Sequence, residues 1–88
     1  MAVGLALEHN LRHLRVLLAV AQHGTITRAA EVCCVSQPAV TQAIAKMERM
    51  AGGALFSRSS RGLFPTKLGE MLAVRVARAI GYLDNGTR

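Results

Sequence analysis

Hydrophobic residues recur at helical spacing in the middle of the chain and predict one helix with a buried and an exposed face. The inward stripe repeats at i, i+4, i+7 and i+11 and consists of Val40, Ile44, Met47 and Ala51, with Ala43 beside it. The opposite face is polar, small or basic and consists of Pro38, Gln42 and Arg49, flanked by Thr41, Ala45 and Lys46. Ser36 is a suitable N-cap, and Pro38 fits the first turn. The pattern therefore predicts a sharply bounded helix over about residues 37–50.

Two further helical patterns precede this segment. The first is expected to start at Asn10 as N-cap and to stop at Gly24, with an apolar side formed by Leu11, Leu14, Leu17, Leu18 and Ala21. The second starts at Thr25 or Thr27 and keeps helical spacing through Ile26, Ala29, Ala30 and Cys33. Only Cys34 and Val35 separate it from Ser36. Two helices joined by so short a turn predict a helix-turn-helix, although this turn lacks the usual glycine.

A β-hairpin is predicted after the central helix, where Ala51-Gly52-Gly53 interrupts the periodicity. Leu55-Phe56 and Leu63-Phe64 bracket a polar, turn-rich segment over residues 57–62. Arg58 and Arg61 would lie on or near the tip of the hairpin. Such a hairpin beside a helix-turn-helix is a wing that contacts the DNA backbone or minor groove, and a solvated loop is the alternative.

The last segment predicts a helix with an apolar seam. Thr66 is its expected N-cap, after Pro65. Positions three and four apart form the seam: Leu68, Leu72, Val76, Ala79 or Ile80, and Leu83. Met71 and Val74 widen this surface, so we predict that the helix packs partly on its own domain and partly on a second copy. The competing interpretation is that it only covers its own core. Asp84-Asn85-Gly86 either ends this helix or marks where a longer protein has been cut.

Together these elements predict a mainly α fold. Residues 1–65 would form a winged helix-turn-helix of three helices and a small β-hairpin, and residues 66–88 a linker and dimerisation helix. A chain of 88 residues allows one domain. With only 3% aromatic residues, its core must come from Leu, Val, Ile, Ala and Met.

The chain is strongly basic, and this favours a polyanionic partner. Eleven Lys and Arg against five Asp and Glu give a net charge of +6. Nucleic acid is the first candidate and an anionic membrane surface the second. The longest strongly apolar run, residues 16–21, is far shorter than the roughly 18 residues that a membrane span needs. We therefore expect no membrane segment, and the first residues show no signal-peptide pattern.

The cysteines and histidines do not indicate a metal or catalytic site. Cys33 and Cys34 are adjacent, which disfavours a disulfide, so a reduced pair in the cytoplasm is expected. Cys33 is expected to be a small core residue. His9 and His13 are four residues apart but have no third ligand in view. We predict no metal, no cofactor and no catalytic residues, because no nucleophile and base come together in the sequence.

The exposed face of the central helix suits the DNA major groove. Gln and Thr side chains pair with the donors and acceptors that base edges present there. Small residues at Ala39 and Ala45 allow close approach, and Lys46 and Arg49 can reach phosphates. An ordinary amphipathic surface helix is the alternative when this segment is considered alone.

Four motifs in one register resemble the DNA-binding domain of LysR-type transcriptional regulators. They are Thr25-Ile26-Thr27-Arg28-Ala29-Ala30-Glu31, Val35-Ser36-Gln37-Pro38-Ala39-Val40-Thr41-Gln42-Ala43-Ile44, Leu55-Phe56-Ser57-Arg58, and Arg61-Gly62-Leu63-Phe64-Pro65-Thr66-Lys67-Leu68-Gly69-Glu70. The similarity covers about residues 11–70. Cys33-Cys34 and Gly53-Ala54 depart from the residues usual in the family. The first departure concerns the surface of the turn, and the second lies just before the wing.

The resemblance implies a homodimer that binds an imperfect inverted repeat in promoter DNA. Base contacts would come from Gln37, Pro38, Thr41 and Gln42. Backbone contacts would come from Arg28, Ser36, Lys46, Arg49, Arg58 and Arg61. Leu68, Leu72, Val76, Ile80 and Leu83 would form the dimer contact. A small-molecule effector would act only through a C-terminal domain that this chain lacks. The alternative function is a protein-interaction module whose basic face meets an acidic partner, since a winged helix does not by itself fix function.

Overall fold

The computed structural model describes the backbone of residues 2–86 and the side chains of residues 11–81. Within this part the elements follow one another as helices α1 (Ala2–His23), α2 (Ile26–Cys33) and α3 (Gln37–Ala51), strands β1 (Phe56–Ser59) and β2 (Gly62–Pro65), and helix α4 (Lys67–Gly86). The two strands form an antiparallel hairpin. The predicted architecture of a mainly helical winged helix-turn-helix followed by a long helix is confirmed.

Helix α1 begins earlier than predicted. It starts at Ala2, so Asn10 lies inside the helix and its assignment as N-cap is wrong. Residues 2–8 are rich in Ala and Leu, which favour the helix, whereas one internal Asn costs only a few tenths of a kcal/mol. The other end is as predicted, because Gly24 takes a positive φ of 74° and its N–H bonds the Val20 carbonyl at 2.8 Å.

The turn between α2 and α3 contains no glycine, and a cysteine takes the position that glycine commonly occupies at a helix end. Thr25, one of the two predicted caps, accepts a hydrogen bond from the Arg28 N–H at 3.1 Å. At the other end of α2, Cys34 takes the left-handed conformation with φ 58°. The Val35 N–H then bonds the Ala30 carbonyl at 3.0 Å, which closes the helix end and turns the chain into α3.

The core lies where α1, α2, α3, the hairpin and α4 meet. Its largest fully buried side chains are Leu17, Leu55, Val20 and Val40. Helix α3 buries the predicted Val40, Ala43, Ile44 and Met47. Ala51, predicted on the same stripe, is exposed, because the helix ends there at Gly52 and the last turn extends beyond the core.

The hairpin is fastened to the helices at both of its ends. In its register Arg58 is paired with Leu63, so Arg58 lies within β1, while Arg61 lies in the connecting turn. The Leu63 N–H bonds the Gly24 carbonyl at 2.8 Å, which ties β2 to the turn between α1 and α2. At the other end, the Leu55 N–H bonds Oε2 of Glu48 at 2.8 Å. The wing is therefore held in a defined position relative to α3.

Helix α4 begins at the predicted cap and packs on the domain through part of its seam. Thr66 Oγ1 accepts from the Gly69 N–H at 3.1 Å and donates to the Ala54 carbonyl at 2.7 Å. Val76 and Ile80 are each 5% exposed and belong to the protein's own core. For these two predicted dimer residues, the competing interpretation that α4 covers its own core therefore holds. Leu72 packs against the same core, Leu68 is 39% exposed, and Leu83 lies outside the described side chains.

Candidate DNA-binding surface

The exposed face of α3 presents all the side chains that the sequence placed there. Gln37, Pro38, Thr41, Gln42, Lys46 and Arg49 are exposed. Ala39 and Ala45 lie between them and are half-buried, so the backbone of α3 is accessible along this face. Ser36 Oγ accepts from the Ala39 N–H at 3.1 Å and fixes the start of the helix. The Ser36 hydroxyl keeps its own hydrogen for a further acceptor such as a phosphate oxygen.

One side of this face meets the wing. A shallow groove of about 520 Å³ is lined by Ile26, Gln37, Pro38, Thr41, Gln42 and Arg58. The fold therefore brings Arg58 next to the four predicted base-contacting residues, although it lies 16 residues or more from each of them in the sequence. A side chain that enters a DNA groove from α3 would thus have a guanidinium beside it.

Arg28 and Arg61 lie apart from this groove. Arg28 is exposed on α2, where its Nη1 atom lies 3.7 Å from Oε1 of Glu31. The two side chains are 60% and 62% exposed, so the ion pair contributes little to stability. A phosphate can therefore replace Glu31 as the partner of Arg28. The N–H of Arg61 bonds Ser59 Oγ at 3.1 Å in the turn of the wing, and its side chain is exposed.

The other side of the α3 face meets α1. Here a cleft of about 440 Å³ is lined by Arg12, His13, Val16, Val35, Ala39, Gln42, Ala43, Lys46 and Arg49. Arg12 is not among the residues predicted from the sequence to contact DNA. Its helical position beside Leu11 places it at the polar edge of the α1 stripe, but periodicity does not show which other helix lies next to that edge.

Among residues 11–81, no carboxylate side chain lines either groove. Among the side chains of residues 11–81 the carboxylates are Glu31, Glu48 and Glu70. Glu31 lies near Arg28, and Glu48 accepts the Leu55 N–H. Because cations face both grooves without a carboxylate in the lining, this surface favours a polyanion.

The Cys33 side chain is partly buried and hydrogen-bonded. Its Sγ atom lies 3.8 Å from the Arg15 carbonyl, to which the thiol donates. Burial raises the pKa of the Cys33 thiol, the neighbouring Cys34 adds to this, and Arg15 opposes it. Cys33 is partly buried and packs against the core, and a raised pKa favours the protonated thiol over the reactive thiolate.

Residues 11–70 match the bacterial regulatory helix-turn-helix protein, lysR family. The chain belongs to the LysR family. It is 37% identical over 78 residues to YdcI, an uncharacterised HTH-type transcriptional regulator of Escherichia coli, a match that covers 89% of this chain and 25% of YdcI. It is 46% identical over 68 residues to the HTH-type transcriptional regulator AbaB of Streptomyces antibioticus, covering 77% of this chain and 23% of AbaB. This LysR-family chain thus spans about a quarter of the length of these relatives.

Solved structures of the family share this fold. The BenM DBD in complex with benA site 1 DNA is 30% identical, with a TM-score of 0.81 over 88% of this chain and 90% of that one. The CbnR DBD in complex with DNA is also 30% identical, with a TM-score of 0.80 over 88% of each chain. Among residues 2–86 of the LysR-family chain described here, no helix combines the length and hydrophobicity needed to cross a bilayer.

Proposed function

We propose that this chain binds duplex DNA in a sequence-specific manner and serves in the regulation of transcription. The observation that carries the proposal is the exposed face of α3, where Gln37, Thr41 and Gln42 lie beside the wing residue Arg58 in one groove. The curated relatives are named transcriptional regulators, and both BenM and CbnR domains have been solved with DNA. Both findings support the same function.

The residues divide into two roles on this surface. Gln37, Pro38, Thr41 and Gln42 lie on the first turns of α3 and contact base edges in the major groove. Amide and hydroxyl groups are suited to this because they donate and accept hydrogen bonds in defined directions. The residues that contact phosphates surround them: Arg28, Ser36, Lys46, Arg49, Arg58 and Arg61. These contacts fix the position of the protein but do not discriminate between sequences.

A homodimer through α4 completes the proposal. Met71 and Val74 are 51% and 53% exposed on the side of α4 that faces away from the core, and Leu68 is 39% exposed. This apolar surface suits a second copy, whereas Val76 and Ile80 stabilise the monomer. Two recognition helices related by a two-fold axis would bind an inverted repeat, with half-sites separated by multiples of about 10–10.5 base pairs.

We further propose that effector binding belongs to a C-terminal domain outside this chain, which spans about a quarter of the length of its relatives. The described helices and hairpin provide the DNA-binding surface and the proposed dimer contact. A small molecule would act by changing how two such domains are held relative to each other. We place the protein in the cytoplasm, where a bacterial regulator meets its promoter.

Replacing Gln42 by Ala should reduce the preference for the correct site by about 1–3 kcal/mol, because the amide is lost from the centre of the exposed face. Affinity for random DNA should change little. The measurement is fluorescence anisotropy with two duplexes, one enriched by the wild-type chain from a random pool and one of scrambled sequence.

The matched control is Arg58→Ala on the other wall of the same groove. This substitution should weaken binding to both duplexes by a similar factor, since a phosphate contact is independent of sequence. An equal loss of affinity on both duplexes for Gln42→Ala would refute its role in base recognition. A changed sequence preference for Arg58→Ala would show that the wing contacts bases.

A further inference from the structure

We propose that Arg12 on α1 is an additional contact to the DNA backbone. Together with Lys46 and Arg49 it would hold the phosphate strand on the side of α3 that faces away from the wing. This inference rests on the proposed function and extends the binding surface to helix α1.

Two grooves flank the exposed face of α3, and each contains an arginine from another element. The groove on the wing side has Arg58 in its lining, together with Thr41 and Gln42. The cleft on the α1 side has Arg12 in its lining, again together with Gln42. Gln42 therefore lies between two arginines that approach α3 from opposite sides.

The dimensions of the major groove explain why both sides need a cation. The groove is about 12 Å wide and an α-helix with its side chains is about 10–12 Å in diameter, so a helix that enters it has a phosphate strand on each side. The wing residue Arg58 lines the groove on one side of α3 and is not in the lining of the cleft on the other side. On the other side, the arginine and lysine residues in the lining of the cleft are Arg12 of α1 and Lys46 and Arg49 of α3.

The chemistry of the cleft favours phosphate over a protein carboxylate. Among the described side chains, the lining of the cleft combines the cations Arg12, Lys46 and Arg49 with the apolar residues Val16, Val35 and Ala43, and it includes no carboxylate. A guanidinium is planar and more weakly hydrated than an ammonium, and it pairs with two phosphate oxygens at once. Arg12 is exposed, so its guanidinium is accessible to a strand outside the cleft.

The test compares Arg12→Gln with Arg75→Gln in the 88-residue chain. Arg75 is exposed on α4, so its substitution removes the same charge from a different surface. Arg12→Gln should weaken binding about tenfold on both the enriched and the scrambled duplex. It should also make the slope of log affinity against log salt shallower by about 0.9. Arg75→Gln should change affinity less than about twofold, and Arg12→Lys should recover part of the loss, since it restores the charge but not the planar fork.

Hydroxyl-radical footprinting distinguishes the two strands. DNA bound by Arg12→Gln should lose protection from cleavage on one strand at the edge of the half-site. DNA bound by Arg58→Ala should lose protection on the other strand. Loss of protection on the same strand would overturn the arrangement, as would equal behaviour of Arg12→Gln and Arg75→Gln. In either case the proposed function would stand if the wild-type chain still preferred its enriched duplex. Circular dichroism melts that agree with the wild type would establish that each variant is folded.

Discussion

Replacing Gly69 by Ala should destabilise the protein by about 1–3 kcal/mol, although this exchange inside a helix is ordinarily stabilising. Gly69 lies in the first turn of α4, and a Cβ atom added there would meet the carbonyl oxygen of Leu55. That carbonyl cannot move away easily. It accepts the Thr66 N–H at 2.9 Å, the Leu55 N–H is bound to Glu48, and the Leu55 side chain is 0% exposed. The methyl group would therefore push α4 away from the start of the wing.

Gly81→Ala provides the matched control in the same helix. Apart from the neighbouring backbone of its own helix, no heavy atom of the described residues lies within 4 Å of a Cβ atom built at Gly81. This substitution should therefore stabilise the protein by about 0.5–1 kcal/mol, because Ala loses less backbone entropy on folding. Urea denaturation followed by circular dichroism measures both free energies of unfolding. If Gly69→Ala were as stable as Gly81→Ala, the close packing of α4 on Leu55 would be incorrect.

Affinity for random-sequence duplex DNA should fall by about 500-fold between about 50 and 200 mM salt for one copy that neutralises five phosphates. These five contacts are the ones assigned under the proposed function, namely Arg28, Lys46, Arg49, Arg58 and Arg61, and a sixth contact from Arg12 would make the slope steeper by about a further 0.9. Each phosphate contact releases a condensed counterion, so the slope of log affinity against log salt should be about −4.5 for one copy. A dimer that uses both sets of cations should show a slope about twice as steep.

Anisotropy titrations at several salt concentrations give this slope directly. Circular dichroism at the same concentrations controls for any effect of salt on folding. A slope shallower than about −1 would contradict the proposed backbone contacts, because at most one phosphate would then be neutralised. Such a slope would favour the alternative function, in which the basic face binds an acidic protein.

The elements that local chemistry determines were predictable from the sequence. Thr25, Ser36 and Thr66 each cap a helix with a side-chain oxygen three residues before the N–H that it accepts. The spacing of Val40, Ile44 and Met47 gave the buried face of α3 and hence its exposed face. By contrast, the predicted start of α1 at Asn10 was wrong. The helix-forming residues before Asn10 outweigh the preference of Asn for an N-cap position.

Features that depend on which helices pack together were harder to predict from the sequence. The seam of α4 suits either a core or a dimer interface, and only the position of α1 shows that Val76 and Ile80 belong to the core. Arg12 was missed for the same reason, since its neighbours in the cleft lie on α3. In the turn before α3, Cys34 adopts a left-handed conformation, which is uncommon for residues other than glycine and is therefore not predicted by the residue type.

A binding selection from a random-sequence pool of duplex DNA at moderate salt measures directly whether this chain recognises a DNA sequence. We predict that the wild-type chain enriches an inverted repeat whose half-sites are separated by a multiple of about 10–10.5 base pairs. Such a result would establish sequence recognition and the two-fold arrangement together. A pool without any enriched sequence, combined with binding that vanishes as salt rises, would contradict sequence-specific recognition and leave only the attraction of a basic surface for DNA.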